Sequence, residues 1–284
     1  MAKNMLVAPV VKWVGGKRQL LDEILPLLPK RMATYCEPFL GGGAVFLAKQ
    51  PTRAIVNDLN KELISVYEVI RDELEELLGA LEQHKNTADY FYAIRDVDRN
   101  KETYRQWSKV EKASRLLYLN KTCFNGLFRV NSSGEFNSPF GFYKNPNIIN
   151  EPVLRAVSRY FNASCIEFYS EDFAETLARL PKNAFVYLDP PYDPVSDTAN
   201  FTGYNKGGFG REEQIRLKCE CDKLTERGIK FMLSNSRTPF IQELYGDNGK
   251  YKIFTVNAKR SINSVASKRG AVEEVIIVNY DAKR

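Results

Sequence analysis

Short apolar runs alternate with segments of helical periodicity along the first third of the chain. Residues 17–28 and 63–81 carry apolar side chains at helical spacing, so each predicts an amphipathic helix. Residues 34–39 and 54–56 are largely apolar runs typical of buried strands, and three glycines separate the first run from a helical segment beginning at Ala44. Strand, glycine turn, helix and strand in this order predict a βαβ unit and a parallel sheet.

The middle of the chain has a different pattern, and the last third returns to the first one. Helices are predicted over 90–98, 110–119 and 154–161. Residues 124–146 are rich in Asn and Gly without a helical period, so they predict a loop or hairpin that turns at 132–134. The remaining predicted elements are strands at 165–169, 185–188, 230–233, 251–256 and 274–280 and helices at 173–180, 211–227 and 239–245.

These patterns predict an α/β protein with a discontinuous main domain. Residues 1–84 and 165–284 are expected to form a Rossmann-like sheet domain, and residues 85–164 an inserted, mainly helical domain that carries the hairpin. The apolar runs are far shorter than the ~20 residues of a transmembrane helix. The N-terminus lacks the length and charge layout of a signal peptide.

The positive charge of the chain is concentrated in the predicted insertion. The chain has 41 Lys and Arg against 35 Asp and Glu, a net charge of +6, and residues 85–160 alone carry 13 basic against 7 acidic residues. The same segment holds 13 of the 34 aromatic residues. A basic, aromatic-rich segment on a neutral body is typical of a polyanion-binding surface, but composition alone fits an ordinary solvated surface equally well.

Cysteine and histidine usage excludes several chemistries. The five cysteines are odd in number and form no C-x-x-C pair, which disfavours a disulfide framework or a zinc site and indicates a reducing, cytoplasmic environment. We therefore expect no metal. The single histidine, His84, ends a charged helical segment and is interpreted as a surface residue. A hydrolase triad or a multi-histidine metal site would have to be built around it.

The glycine turn at 37–43 follows a strand and precedes a helix, so its backbone amides could approach a ligand closely. It is not a dinucleotide fingerprint, because Phe46 stands where the last glycine would be, and no Lys-Ser or Lys-Thr follows as in a P-loop. Asp58, at the end of the next strand, could bind hydroxyls or an amine of a nucleoside. Taken alone, the motif is also typical of a simple tight turn.

The sequence Asp189-Pro190-Pro191-Tyr192 ends a buried strand, at the sheet edge where ligands bind in open α/β proteins. The prolines fix the backbone and remove two donors, which leaves the Asp189 carboxylate and the Pro190 carbonyl as rigid acceptors. Two such acceptors suit the amino group of a heterocyclic ring, and they stabilise positive charge as that amine attacks. Tyr192 could stack on a base turned out of a duplex. The alternative is a strand end stiffened by proline.

Five motifs in order give the chain a resemblance that spans nearly its whole length. They are KWVGGKRQL (12–20), EPFLGGGAVF (37–46), NDLN (57–60), FNGLFRVNSSGEFNSPFGFYK (124–144) and DPPYDP (189–194). With them the chain resembles the Dam family of DNA adenine-N6 methyltransferases. The resemblance implies a Rossmann-like methyltransferase sheet with an inserted DNA-recognition domain.

The resemblance also implies a cofactor, S-adenosyl-L-methionine, and a set of residues around it. Residues 193–210 would form a loop that orders on substrate binding, with Gly203, Gly207, Gly208 and Gly210 permitting the motion. Asp189, Pro190, Pro191 and Tyr192 would be catalytic. By motif match the residues at the cofactor would be Trp13, Lys17, Phe39, Gly41, Gly43, Asp58, Asp172, Phe173 and Asp189.

The resemblance further implies that the basic segment binds double-stranded DNA and that the target sequence is GATC. Arg129 would contact guanine, an interaction worth ~1–3 kcal/mol of discrimination. One departure is Phe142, which stands where many relatives have arginine and so loses a phosphate contact. The basic loop 259–269 would add a phosphate contact or be a solvated hairpin tip. The residues expected at the DNA are Lys12, Phe124, Asn125, Leu127, Arg129, Asn131 and Pro139.

Two other functions compete with an adenine methyltransferase of duplex DNA. The D-P-P-Y signature by itself also permits cytosine N4, RNA adenine or a protein glutamine as methyl acceptor. A non-catalytic DNA-binding subunit is the other alternative, although both motifs are intact here. The expected setting is the cytoplasm of a bacterium or a phage-infected cell, with no membrane partner. A cognate restriction endonuclease would be a functional rather than a physical partner.

Overall fold

The computed structural model describes residues 3–195, 208–246, 249–259 and 271–282. Most of the predicted loop 193–210, including Gly203 and Gly207, and nearly all of the basic loop 259–269 lie outside the described residues. Within the described part of the chain no helix is long and apolar enough to cross a membrane. The same part contains no group of three or more His, Cys, Asp or Glu placed to hold a metal ion.

The described chain folds into eleven α-helices and seven strands. The strands are β1 (Thr34–Glu37), β2 (Arg53–Asn57), β3 (Cys165–Tyr169), β4 (Ala184–Leu188), β5 (Lys230–Ser236), β6 (Lys252–Lys259) and β7 (Ala271–Val278). The helices are α1 (Leu21–Leu27), α2 (Ala44–Lys49), α3 (Lys61–Asp72), α4 (Leu74–Glu82), α5 (Ala88–Asp96), α6 (Lys101–Gln106), α7 (Lys109–Thr122), α8 (Glu151–Asn162), α9 (Phe173–Ala178), α10 (Arg211–Glu226) and α11 (Pro239–Gly246).

The strands form one mixed sheet in the order β3-β2-β1-β4-β5-β7-β6. The pairs β1–β2, β1–β4 and β4–β5 are parallel, and β7 runs antiparallel between β5 and β6. This confirms the predicted α/β class with a Rossmann-like, mostly parallel sheet. The strand order reverses between β1 and β4, and in such sheets the crevice at the carboxyl ends of the two strands is the ligand site.

Contacts divide the chain into two compact units. The first comprises Met1–Gly16, Gly41–Thr52 and Asp58–Ser170, and the second comprises Lys17–Leu40, Arg53–Asn57 and Glu171–Arg284. All of residues 85–164 falls in the first unit, together with segments assigned above to the sheet domain. The predicted boundary between a sheet domain and a helical insertion therefore stays a prediction.

The second unit places the D-P-P-Y motif at the end of a fully buried strand, β4. All five residues of β4 are buried, as expected for a parallel strand covered on both faces. Tyr35 and Cys36 of β1 pair with Phe185 and Val186, and Leu188, the last residue of β4, pairs with Leu233. Asp189 therefore follows directly from a strand that is fixed on both sides.

The first unit is mainly helical and contains the predicted hairpin. Antiparallel bridges join Val130 to Phe136 and Cys123 to Phe140. Gly134 adopts a left-handed φ of 73°, which confirms a turn in the predicted region. We call residues 127–139 the recognition hairpin. Its Phe136 lies in a buried cluster with Phe91, Tyr118, Leu119, Cys123 and Phe140, and its Phe128 packs against that cluster.

Three details of the first unit differ from the sequence predictions. The single helix predicted over 63–81 is two helices, because Glu73 leaves the helical region with φ −135° and ψ 42°. Helix α6 was not predicted. The interpretation of His84 as a surface residue is wrong: its ring is half-buried, stacks on Tyr118 at 4.2 Å and bonds Tyr90 and Ser114, and burial lowers its pKa to about 4.

Candidate active site

Asp189 lies against a buried lysine at the carboxyl end of β4. Lys17 Nζ is 2.7 Å from Asp189 Oδ1, and the Lys17 side chain is only 6% exposed. Burial raises the pKa of Asp189 to about 6, although Lys17 lowers it and Glu274 adds a smaller upward contribution. Oδ1 is buried, and among the described residues it has no donor besides the Lys17 ammonium. The site thus presents a buried acceptor whose demand for a donor is incompletely met.

Tyr192 is held on two sides. Its hydroxyl donates to Glu274 Oε2 at 2.8 Å, and Lys17 Nζ lies 4.5 Å from the centre of its ring. Burial, followed by the charges of Asp189 and Glu274, raises the pKa of Tyr192 well above its usual value. The ring is therefore neutral and fixed in orientation, as stacking on a base requires. Glu274 lies in β7, where it pairs with Ser236.

The backbone of the motif is fixed by side chains of α10 and β5. Gln214 Nε2 donates to the Pro191 carbonyl at 2.8 Å, and Asn235 Nδ2 donates to Gln214 Oε1 at 3.1 Å. Asn235 Oδ1 accepts from Asp193 N at 3.1 Å. The buried Asp193 carboxylate accepts in turn from Thr238 Oγ1 at 2.6 Å. A motif held at so many points keeps its acceptors in place without substrate.

The second unit also contains a cluster of aromatic side chains. Phe39 lies 5.3 Å from Phe173 and 5.5 Å from Phe209, and the guanidinium of Arg216 covers Phe173 at 4.3 Å. Asp172 caps α9 by accepting from Ala174 N at 2.9 Å and also pairs with Arg216. Asp172 is therefore already engaged within the protein, and a cofactor group that binds it would have to share its carboxylate.

The three glycines of the turn, residues 41–43, lie in the first unit, where Asp58, Tyr67 and Trp13 contact Gly41. Gly41 N donates to Asp58 Oδ2 at 2.8 Å, and Tyr67 donates its hydroxyl hydrogen to the Gly41 carbonyl at 2.9 Å. Gly41 and Gly43 adopt left-handed φ values of 48° and 63°. A Cβ at Gly41 would stand 2.9 Å from the ring of Trp13. Trp13 packs so closely that only glycine fits, which gives this turn a defined shape rather than a merely flexible one.

The recognition hairpin presents Arg129 on its exposed side. Arg129 Nε donates to Asn137 Oδ1 at 2.7 Å and Nη2 donates to the Asn137 carbonyl at 3.2 Å. Asn131, by contrast, uses its amide within the turn, accepting from Ser133 N and Glu135 N and donating to Glu135. Its role is visibly to close the turn, and its predicted contact with DNA stays a prediction.

Lys12 and the start of the hairpin are tied together by Asn120 of α7. Asn120 accepts from Lys12 N at 2.8 Å and donates to the carbonyls of Lys12 at 2.8 Å and Gly126 at 3.1 Å. Asn125 stands beside them with a left-handed φ of 59°, and its side chain and that of Phe124 are exposed. The first unit thus brings Lys12 close to predicted DNA-contacting residues that are more than 100 positions away in sequence.

Comparison with known proteins identifies the family. The model of the D12 class of N6-adenine-specific DNA methyltransferases matches residues 13–262. The chain belongs to this family. It is 40% identical over 281 residues to the type II methyltransferase M1.LlaDCHI of Lactococcus lactis subsp. cremoris, with 98% of each chain covered. The DNA adenine methylase of Escherichia coli K12 is 37% identical over 270 residues, covering 94% of this chain and 93% of the methylase.

A third relative extends the family beyond bacteria. The type II methyltransferase M.MjaIII of Methanocaldococcus jannaschii is 38% identical over 296 residues, covering 97% of this chain and all of the relative. Family membership confirms the resemblance stated from the motifs, and the protein is an adenine-specific DNA methyltransferase by family. The individual roles of the predicted site residues stay predictions.

Several contacts of the site have no signal in the sequence motifs. Glu274 lies 82 residues after Tyr192. Phe128 belongs to the motif 124–144, but nothing in that motif predicts its stacking on Trp13, with ring centres 4.9 Å apart. Gln214 and Asn235 lie in an ordinary helix and strand. Glu273 and Glu274 gave one sequence clue, because carboxylates in a strand whose other residues are apolar need polar partners or solvent.

Proposed function

We propose that the protein methylates adenine N6 within GATC in duplex DNA, with S-adenosyl-L-methionine as methyl donor and with the target base flipped out of the helix. The observation that carries the proposal is the buried Asp189 Oδ1 beside the fixed ring of Tyr192. A hydrogen-bond acceptor and an aromatic face in fixed geometry suit an amino group on a planar ring. A stacked duplex does not expose such a ring, so the base must leave the helix to reach them.

Groups suited to S-adenosyl-L-methionine are present in both compact units. The first unit contributes a glycine turn of fixed shape and the Asp58 carboxylate. The second contributes the neighbouring rings of Phe39 and Phe173 and the Asp189 carboxylate. An adenine ring, hydroxyls and a positive charge are groups that such side chains can bind. When bound, this cofactor supplies an electrophilic methyl group. The residues proposed to hold it are Trp13, Lys17, Phe39, Gly41, Gly43, Asp58, Asp172, Phe173 and Asp189.

Each residue of the D-P-P-Y motif has a separate role in the proposed mechanism. The Asp189 carboxylate and the Pro190 carbonyl accept one hydrogen bond each from the adenine amino group. These two hydrogen bonds raise the electron density on nitrogen and make its lone pair available. Because the pKa of Asp189 is about 6, the carboxylate is ionised at neutral pH and stabilises the positive charge that nitrogen acquires. Pro191 keeps the strand end rigid, and Tyr192 stacks on the base, a contact worth ~1–3 kcal/mol.

The recognition hairpin is proposed to read the DNA. Arg129 presents a guanidinium suited to the O6 and N7 atoms of guanine. Phe124, which is 55% exposed, and Leu127 and Pro139 would contact or wedge the bases, while Lys12 and Asn125 would complete the contact. The excess of basic residues over 85–160 supplies the general attraction for phosphates.

The cellular setting follows from the DNA substrate. Two relatives are named type II methyltransferases, and we propose a restriction endonuclease of the same target sequence as the functional partner. The protein would act in the cytoplasm, where bacterial and phage DNA is accessible to it.

Methylation mapping tests the proposal. The protein and Asp189→Ala are expressed in a host without adenine methylation, and its DNA is sequenced by a single-molecule method that detects modified bases. The expected result is N6-methyladenine in GATC for the wild type and none for Asp189→Ala, which should retain DNA binding. Methylation in another sequence overturns the GATC assignment, and N4-methylcytosine without N6-methyladenine overturns the target. Normal methylation by Asp189→Ala overturns the proposed mechanism.

A further inference from the structure

Two consecutive residues grip a single residue of the recognition hairpin. Asp98 Oδ2 accepts from Phe136 N at 2.7 Å, and Arg99 Nη2 donates to the Phe136 carbonyl at 2.9 Å. Both polar backbone groups of Phe136 are thus bonded to the 3₁₀ turn Val97–Arg99, which ends α5. The Phe136 side chain is buried among apolar residues of the same unit. Its position along the hairpin is therefore fixed both by packing and by two directed hydrogen bonds.

The grip is anchored in a buried ionic network. Asp98 Oδ2 lies 2.8 Å from Arg115 Nη2, and both side chains are almost fully buried. Arg115 also donates to the carbonyls of Ile94 at 2.9 Å and Arg95 at 2.7 Å, and to Tyr104 Oη at 3.3 Å. The guanidinium has partners on all sides, and it cannot shift without breaking several hydrogen bonds at once.

The buried Asp98–Arg115 ion pair contributes more to the orientation of its groups than to the stability of the fold. Removing two charges from water costs about as much as their attraction returns, so a buried ion pair is often no more stabilising than well-packed apolar residues. The pair instead fixes the orientation of the Asp98 carboxylate, and thereby the position of the group that donates to it. In this chain that group is the backbone N–H of Phe136, which forms the bridge with Val130 that defines the pairing of the two hairpin arms.

Asn137, the residue after Phe136, links this fixed position to the side chain of Arg129. Asn137 N donates to the Arg129 carbonyl at 2.9 Å, and Asn137 accepts from Arg129 Nε at 2.7 Å and from Nη2 at 3.2 Å. The guanidinium of Arg129 is therefore held by the neighbour of the gripped residue. Holding a planar, bidentate group in one orientation before binding lowers the entropy lost on contact with a base.

We propose that Asp98 and Arg99 are positioning residues for base recognition. They hold Phe136 so that Asn137 presents Arg129 in a fixed orientation toward DNA. The inference rests on the proposed contact between Arg129 and guanine, and it assigns a specificity role to residues that need not touch DNA.

Arg99 offers the cleaner test, because its side chain is partly exposed and its removal leaves the buried Asp98–Arg115 pair intact. The variants are Arg99→Met, Arg99→Lys and Arg129→Ala, with Asp98→Asn as a second alteration of the grip. Arg105→Met is the matched control, since it removes one positive charge from an exposed position of the neighbouring helix α6. The measured quantity is kcat/KM on the mapped recognition sequence divided by kcat/KM on sites with one substituted base pair.

We expect Arg99→Met to lower this ratio at least about five-fold, because it removes the hydrogen bond to the Phe136 carbonyl together with the ion pairs of Arg99 with Asp98 and Glu135. Arg99→Lys should recover most of the loss, Asp98→Asn should lower the ratio, and Arg105→Met should leave it unchanged. Adding Arg99→Met to Arg129→Ala should lower the ratio no further, because both act through one contact.

Two results would overturn the inference in distinguishable ways. If Arg129→Ala lowers the ratio while Arg99→Met and Asp98→Asn change activity equally on all sites, the two residues are merely structural and Arg129 keeps its role. If Arg129→Ala itself leaves the ratio unchanged, the guanine contact is wrong and the positioning role falls with it.

Discussion

Tyr192 donates its hydroxyl hydrogen to Glu274 at 2.8 Å, so the last residue of the D-P-P-Y motif is oriented by a carboxylate on β7. The hydrogen bond fixes the ring about its long axis, and Lys17 lies over one face of the same ring. The ring face proposed to stack on the target base is therefore oriented by residues outside the motif.

The Tyr192–Glu274 hydrogen bond gives the first prediction. Glu274→Ala should lower kcat/KM about 5–10-fold, as expected for the loss of ~1–1.5 kcal/mol in one charge-assisted hydrogen bond. Glu274→Gln retains an acceptor and should keep most of the activity. Tyr192→Phe should lose about as much as Glu274→Ala, and the double variant should lose little more. Steady-state methyl transfer measures all four, and fully additive losses would show that the hydrogen bond does not couple the two residues.

The raised pKa of Asp189 predicts a pH-dependent stability difference. Above pH 6 the folded protein carries an ionised carboxylate that burial disfavours, whereas the unfolded chain ionises near 3.8, so ionisation of Asp189 reduces the free energy of unfolding. That stability is fully present below about pH 4 and is lost as pH rises through 6. Asn cannot ionise.

The unfolding free energy of Asp189→Asn minus that of wild type should therefore rise by about 2.5 kcal/mol between pH 4 and pH 8. Urea unfolding at a series of pH values measures this difference. A difference that is independent of pH would mean that the pKa of Asp189 is the same in the folded and unfolded states.

The packing of Trp13 on the glycine turn predicts opposite effects for two glycine substitutions. Gly41→Ala puts a Cβ 2.9 Å from Trp13 at a left-handed φ, so it should lower the Tm and weaken binding of S-adenosyl-L-methionine. Gly79→Ala, on the exposed face of α4 with no atom within 4 Å of the new Cβ, should stabilise by about 0.5–1 kcal/mol. Calorimetry and cofactor titration test the pair, and equal effects on both would contradict a constrained turn.

Phe142 predicts a gain of DNA affinity. Its side chain is 76% exposed at a left-handed φ of 53°, at the position where the family resemblance implies arginine. Phe142→Arg should add one phosphate contact, which tightens binding at low salt and steepens the dependence of log K on log salt by about 0.9. Phe142→Gln serves as the uncharged control. An unchanged salt slope in Phe142→Arg would place this side chain away from the phosphates.

Most strands and helices were predictable because their causes are local. The apolar run 185–188 and the proline pair behind it mark a buried strand and its end, and β4 is found there as Ala184–Leu188. The break between α3 and α4 was not predictable. Glu73 favours helix, and the apolar periodicity continues across it, so nothing in the local sequence distinguishes two helices from one.

His84 shows the same limit at a single residue. Its neighbours in sequence are charged, which indicates a surface position, yet its partners Ser114 and Tyr118 come from α7, about 30 residues later. Burial depends on what packs against a side chain, and a sequence window contains only its neighbours along the chain.

The sequence by itself determined the fold class, the family and the motif that accepts an amino group, because motifs and periodicity depend on residues close together in the chain. Only the tertiary structure decided how those motifs are held. Glu274 reaches Tyr192 across 82 residues, and Asp98 reaches Phe136 across 38. Such contacts depend on strand order and helix packing, and the hydrogen bonds that orient the candidate catalytic and base-contacting side chains arise from that packing.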